Sequence, residues 1–307
     1  MVAGTSIPLV PKKTKKTIFT TFVQICNSKK MKKIKLALLD MNNNHANQGM
    51  RNIKEIAETF KAHSEEEIEI EVFDIRYKNE FPNLNDFDIF ISSGGPGNPH
   101  REGYEWEQKY ADFLDEILEF NKNNETKKFL FLICHSFQVA SIHWQLGNIC
   151  RRKSYSFGVM PIHKTEEGKQ DFLFQNLPDP FYAVDSRAFQ FIEPNEERLE
   201  ELGMKIMALE KVRPHIHLER AVMSVRFSDE IFGTQFHPEA DSEGFLKNLE
   251  IEENKKAMIE QFGMEKYLET IDRMDDPDKI ILTQAQILPR FLRFATEQIS
   301  QKECSFC

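Results

Sequence analysis

Residues 128–140 read Lys128-Phe129-Leu130-Phe131-Leu132-Ile133-Cys134-His135-Ser136-Phe137-Gln138-Val139-Ala140. The unbroken apolar run before the cysteine suits a strand buried on both faces, as in a parallel sheet. The stretch after it has helical character. Cys134 therefore falls on a strand-to-helix turn, where a thiol is exposed and faces a helix N-terminus. Upstream, strands and helices alternate. Strands are predicted over Ile34–Asp40, Ile68–Ile75 and Asp86–Ser92. Helices are predicted over Gln48–Ala62, with Ile53, Ile56, Ala57 and Phe60 on one face, and over Tyr104–Asn121. His135–Leu146 continues as a helix. The acidic/apolar alternation of Ile68–Ile75 places that strand nearer the sheet edge. This order predicts an α/β fold, with a mostly parallel sheet flanked by helices and right-handed crossovers.

In such a sheet, functional groups gather at the carboxyl ends of the strands. Asp40, Ser93-Gly94-Gly95-Pro96-Gly97, Cys134 and His237 all fall at predicted strand ends. The strand Ile231–Phe236 runs into His237-Pro238-Glu239. A base and a carboxylate two residues apart can point the same way, so the carboxylate can orient the imidazole. Glycines after the strand ending at Ser92 let backbone N–H groups approach a developing oxyanion. Alone, Cys134 would read as a buried core thiol. With the glycine loop and His237-Pro238-Glu239 in register, the nucleophile reading prevails.

Gly-Gly-Pro-Gly after a strand, Cys134 with Gln138 four residues later, and Gln235-Phe236-His237-Pro238-Glu239, in that order, resemble class I glutamine amidotransferases. The resemblance covers roughly residues 33–240 and includes the glutaminase half of GMP synthases. It implies Cys134 as nucleophile, His237 as base and Glu239 as orienting carboxylate. It places oxyanion-hole amides on Gly95 and His135 and substrate contacts on Gln138 and Gly94. The family usually has glycine two residues before and two after the cysteine, where this chain has Leu132 and Ser136. The implied reaction is hydrolysis of glutamine to glutamate and ammonia, with no metal or organic cofactor. The chain has no Ser-Gly-Gly-x-Asp-Ser segment of an ATP-pyrophosphatase and no phosphate-binding G-x-x-x-x-G-K-[ST] loop. Ammonia would then pass to a separate synthase subunit.

A second resemblance lies in Phe157–His163, Leu177–Phe181 and Asp185-Ser186-Arg187. These look like the middle of homoserine O-acyltransferases, which share the fold and a Cys/His/Glu triad but transfer an acyl group. In that reading Arg187 grips a substrate carboxylate through its planar fork; a surface ion pair is the plainer alternative. An inactive scaffold of the same fold is a third possibility. The amide-rich stretch Asp40–Gln48 reads first as turn and helix-cap chemistry and second as a site edge. His143, His163, His215 and His217 lack a comparable context.

Residues 155–160, 181–184, 189–192, 205–209 and 221–227 are expected as shorter strands. Residues 242–307 are expected as a helical extension packed on the core, with a homodimer or partner surface as the alternative. The 307-residue chain carries a net charge of −9. Residues 1–35 hold nine Lys and no acid, which leaves −18 on the remainder. An acidic body argues against general nucleic-acid binding. Residues 1–30 are expected as a disordered basic arm ahead of an α/β domain at 31–241. No apolar run approaches the ~20 residues of a membrane helix. Five scattered cysteines suit a reducing cytoplasm. Cys304-Ser305-Phe306-Cys307 reads as a frayed tail rather than a metal or redox pair.

Overall fold

The computed structural model describes Met1 and residues 33–304, apart from Ala46, Ile216, Pro277 and Asp278. The expected basic arm, apart from Met1, and the tail beyond Cys304 lie outside the described residues. Five strands build one half of the sheet: β1 (Lys33–Asp40), β2 (Glu67–Asp74), β3 (Ile89–Ser92), β4 (Phe129–Ile133) and β9 (Ile231–Thr234). They lie in the order β2-β1-β3-β4-β9 and every ladder between them is parallel. Two are reached through helices: α1 (Gln48–His63) joins β1 to β2 and α2 (Glu105–Asn123) joins β3 to β4, while α3 (His135–His143) leaves β4. As its acidic alternation predicts, β2 is an edge strand.

The other half corrects the expectation of a mostly parallel sheet. β5 (Gly147–Lys164), β6 (Phe181–Pro194), β7 (Lys205–Glu210) and β8 (Val222–Arg226) pair antiparallel with one another, and β8 pairs antiparallel with β9. The nine-stranded sheet is therefore mixed. Parallel neighbours need a crossover of a dozen or more residues. Beyond β5 the connections carry only the short helices α4 (Glu166–Gln170) and α5 (Glu196–Leu202). Two expected strands, at 181–184 and 189–192, are one continuous β6. β5 begins well before the expected Tyr155, across the polar run Arg151–Ser154, where its ladder to β6 shifts register.

Alternation along the buried strands sends side chains to two faces. Ile34, Leu36 and Leu38 of β1, with Phe129, Phe131 and Ile133 of β4, meet α1 and α9 (Ile280–Cys304). Ala37, Leu39, Leu130 and Leu132 meet Tyr110, Phe113 and Leu114 of α2 and Phe137 of α3. The helices after residue 241 are α6 (Ser242–Glu250), α7 (Glu252–Phe262), α8 (Met264–Asp275) and α9. α9 is buried through Ile287, Leu288, Phe291, Leu292 and Ala295, with the Phe291 ring edge-on to Phe131 at 5.1 Å. Val159 and Val184 of the antiparallel half form a smaller cluster with Met274 and Ile280.

Leu132 stands in register opposite Gly233 of β9. A Cβ at position 233 would lie 2.8 Å from the rings of Phe137 and Phe227 and 3.3 Å from Leu132 Cβ. The room that Leu132 occupies is thus left by the neighbouring strand. Overpacking a closed core typically costs about 1–3 kcal/mol. Gly233→Ala is expected to lower unfolding free energy by that amount in urea titration. Unchanged stability would show that the two rings yield freely.

Candidate active site

β1, β3, β4 and β9 run parallel, so their carboxyl ends share one edge of the sheet. At that edge the chain turns sharply at Cys134, whose φ of 51° and ψ of −98° lie outside the helical and extended regions. Such a non-glycine conformation stores about 1–3 kcal/mol and persists only where its surroundings hold it. Several bonds do so. The Cys134 N–H donates to Thr234 O at 2.7 Å, and the Gln138 N–H donates to Cys134 O at 3.0 Å. Ser136 Oγ accepts the Ile133 N–H at 2.8 Å and lies 3.0 Å from the carbonyl oxygens of both Ser92 and Ile133. Ser136, where the family pattern has glycine, is fully buried and braces the turn.

His237 follows β9 and donates its backbone N–H to Val184 O of β6 at 2.8 Å. Its Nδ1 lies 2.8 Å from Glu239 Oε1. Burial opposes charge on this imidazole. The Glu239 carboxylate, the Cys134 group and hydrogen bonds to both outweigh that, and the pKa stands well above the ordinary 6.5. The arrangement favours an imidazolium beside the Glu239 carboxylate. Glu239 is buried, and its Oε1 lies against the first turn of α1: a Cβ at Gly49 would be 2.9 Å from it. The positive end of a helix favours an anion there. Asn47 caps the same helix, its Oδ1 accepting from the N–H of Gly49 at 2.6 Å. The amide-rich stretch therefore caps α1, whose first turn lies behind Glu239.

Gly94 lies over both reactive groups. A Cβ on it would approach His237 Cε1 to 2.9 Å and Cys134 Cβ to 3.4 Å. Gly95 is packed on β1, where a Cβ would be 2.2 Å from Met41 O. Among the described residues, the backbone N–H groups of Gly95 and His135 donate no hydrogen bond within the protein. The His135 ring is buried with Nε2 unpartnered, and burial together with the charge of Arg76 lowers its pKa to about 3.

Gln138 reaches the thiol indirectly. Its Nε2 donates to Gln235 Oε1 at 2.9 Å, and Gln235 Nε2 in turn points at Cys134 Sγ at 3.6 Å. Gln235, His237 and Glu239 are spaced by two, and that period on a strand end was the available signal for Gln235. Arg187 is not on the surface. It is 2% exposed, with Nε 3.0 Å from both carboxylate oxygens of Asp185 and Nη2 3.1 Å from Glu210. Arg152 joins the same buried cluster, 3.2 Å from Glu210. Its neighbour Ser186 faces the thiol instead, with its carbonyl oxygen 3.8 Å from Sγ. Ser186 Oγ pairs with Tyr155 OH at 2.8 Å, and the Tyr155 ring contacts Phe262 of α7 at 6.1 Å. Nothing in the local sequence pattern marked Ser186 or Tyr155 as neighbours of Cys134, because their proximity depends on the antiparallel pairing of β5 and β6.

Of the other histidines, His143 Nε2 lies 2.8 Å from Asp115, and His163 lies 3.9 Å from Asp179. Among the described residues no group of three or more His, Cys, Asp or Glu could hold a metal ion. Within that same set no helix is long and apolar enough to cross a membrane.

The family model for class-I glutamine amidotransferases matches residues 49–255. A glutamine amidotransferase from Thermotoga maritima is similar in structure, with a TM-score of 0.62 and 14% identity over 86% of this chain and 98% of that one. A glutamine amido transferase from Methylobacillus flagellatus aligns with a TM-score of 0.57 and 12% identity over 88% of this chain and 95% of that one. No curated protein sequence matches the chain. At such identities the structural likeness establishes a shared fold, while the family match spans more than half of the sequence and includes the glycine loop, the cysteine turn and the His-Pro-Glu segment. The chain belongs to the class-I glutamine amidotransferase family.

Proposed function

We propose that the protein hydrolyses glutamine to glutamate and ammonia through Cys134, His237 and Glu239. The observation that carries this reading is the 2.8 Å contact between His237 and Glu239 beside a cysteine held on a strained turn. His237 takes the thiol proton, and Glu239 fixes the imidazole tautomer and stabilises its charged form. The thiolate adds to the side-chain carbonyl carbon of glutamine, and the carbonyl electron pair moves onto oxygen. The amides of Gly95 and His135 receive that oxyanion, a contribution of roughly 3–4 kcal/mol per donor in comparable sites. His237 then protonates the amide nitrogen, the oxyanion electron pair re-forms the carbonyl, the C–N bond breaks and ammonia leaves; water then hydrolyses the glutamyl thioester with His237 as base. Gly94 leaves room for the substrate side chain over the thiol. Gln138 acts through Gln235, which orients the sulfur. Arg187 serves the strand framework, because its guanidinium is committed to Asp185 and Glu210.

The ammonia is proposed to go to a synthase on a separate polypeptide, in a cytoplasmic setting, with a homodimer as the further possibility. Ammonia release from glutamine, measured with and without candidate synthases, tests the reading. Acyl transfer from an acyl-CoA to homoserine, with no ammonia from glutamine under any condition, would replace it by the acyltransferase reading.

Cys134→Ala is expected to abolish ammonia release while circular dichroism stays unchanged; retained activity would remove the covalent mechanism. His237→Ala should cost about as much, and the double variant little more, because triad members act as a unit. The pH profile supplies a separate check. Raising the imidazole pKa keeps the general acid charged through neutral pH, so kcat/KM for ammonia release should fall on the alkaline side of 6.5. Glu239→Gln removes the charge that holds the proton, and the alkaline limb should move down toward 6.5. An unmoved limb would deny Glu239 that role.

A further inference from the structure

Arg76 lies just past β2, in a turn whose Ile75 N–H donates to Asp40 O at 3.1 Å. The side chain passes beneath the glycine loop. Nη1 donates to the carbonyl of Met41 at 3.1 Å and to that of Pro96 at 2.5 Å. Both carbonyls flank Gly95, one on the strand it packs against and one within its own loop. A Cβ placed on Gly95 would lie 3.2 Å from Nη1, and one on Gly97 would lie 3.5 Å from Nη2. The guanidinium is centred 5.0 Å from the ring of the buried Trp106, which also neighbours the His135 ring at 6.4 Å.

The charge balance of this group is unusual. Among the described residues Arg76 makes no ion pair within 4 Å, and its buried Nε has no hydrogen-bond partner. The carboxylates that act on it from a distance are Glu102 and Glu107. Glu107 is already occupied in accepting the N–H groups of Glu102, Gly103 and Tyr104. A partly buried cation without a direct counterion loses hydration for only a distant Coulombic return. Arginine is also always protonated in proteins, so the charge cannot be shed.

We propose that Arg76 is the fixed positive charge of the oxyanion site. It pins the Gly95 peptide from below and meets the negative charge that appears on the carbonyl oxygen as the thiolate adds. The missing counterion is thus supplied only in the transition state, which is the condition for an interaction to raise kcat rather than binding. This inference rests on the glutamine-hydrolysis reading. It assigns Arg76 as a positioning and electrostatic residue, outside the triad and away from the nucleophile.

The test uses Arg76→Met, which keeps reach without charge, and Arg76→Lys, which keeps charge without the fork. Kinetics with glutamine should show kcat falling on the order of 10- to 100-fold in Arg76→Met, a somewhat smaller loss than removal of a whole oxyanion donor. KM should stay within about threefold, because the lost interaction is made only in the transition state. Arg76→Lys should fall between this variant and the wild type. Two alkylating reagents separate carbonyl activation from thiol reactivity. Inactivation by the chloroketone analogue of glutamine, which places a carbonyl oxygen in the oxyanion site, should slow in parallel with kcat. Alkylation of Cys134 by iodoacetamide should be unchanged. Wild-type kcat in Arg76→Met, or equal slowing with both reagents, would overturn the proposal. Should Arg76→Met not fold, Arg76→Gln takes its place, and wild-type kcat in that neutral variant overturns the proposal equally. A wild-type protein inert toward glutamine and the chloroketone alike would sink the hydrolysis reading and this inference together, whereas an active wild type with an unaffected variant sinks this inference alone.

Discussion

Four parallel strand ends meet at one sheet edge, and the backbone there has almost no free volume. A single added carbon at position 94 would press on the His237 ring, and one at position 95 would sit 2.2 Å from the Met41 carbonyl oxygen. That crowding governs the site. It requires glycine in the loop after β3, forces Cys134 into a positive-φ turn, and brings the thiol under the imidazole. Hydrogen bonds from Ser136 and the ladder to Thr234 then hold a conformation that the local sequence would not adopt by itself. Glu239 is fixed in the same way, between the imidazole it orients and the first turn of α1.

Much of this was legible in the sequence because the parallel half obeys simple patterns. Continuous apolar runs mark β1, β3 and β4, and each ends on a polar or glycine-rich turn. The residues after β3, β4 and β9 are the ones the structure brings together: Gly94, Gly95, Cys134, His135, His237 and Glu239. The antiparallel half was less legible. β5 passes through Arg151-Arg152-Lys153-Ser154, where polar side chains and an irregular ladder break the alternation that signals a strand. With that pairing unread, Tyr155 and Ser186 could not be placed near the thiol. Arg76 escaped for a different reason. A lone arginine in a turn carries no periodicity, and its relation to the loop 20 residues later is purely spatial.

Arg187 shows the converse. The Asp185-Ser186-Arg187 segment suggested an exposed or substrate-facing guanidinium, yet strand alternation turns Arg187 to the same side as Asp185 and toward Glu210 on β7. Removing one partner of such a buried cluster leaves an uncompensated charge and is strongly destabilising. Loss of activity on mutating Arg187 would therefore reflect the framework of β5, β6 and β7. The two arginines differ in this respect: Arg187 has its counterions, whereas among the described residues Arg76 lacks a direct one.

The place of α9 in the chain has a consequence for biosynthesis. This helix covers one face of the central strands through Phe291 and its neighbours, and it follows every strand in sequence. β9, which lies between β4 and β8, is also late. During translation the apolar face of β1 and β4 has only α1 to cover it until residues 280–304 have left the ribosome. Nascent chains with such a face exposed are prone to self-association. The protein is thus expected to depend on chaperone shielding late in synthesis, and a chain stalled before α9 should be a substrate for degradation.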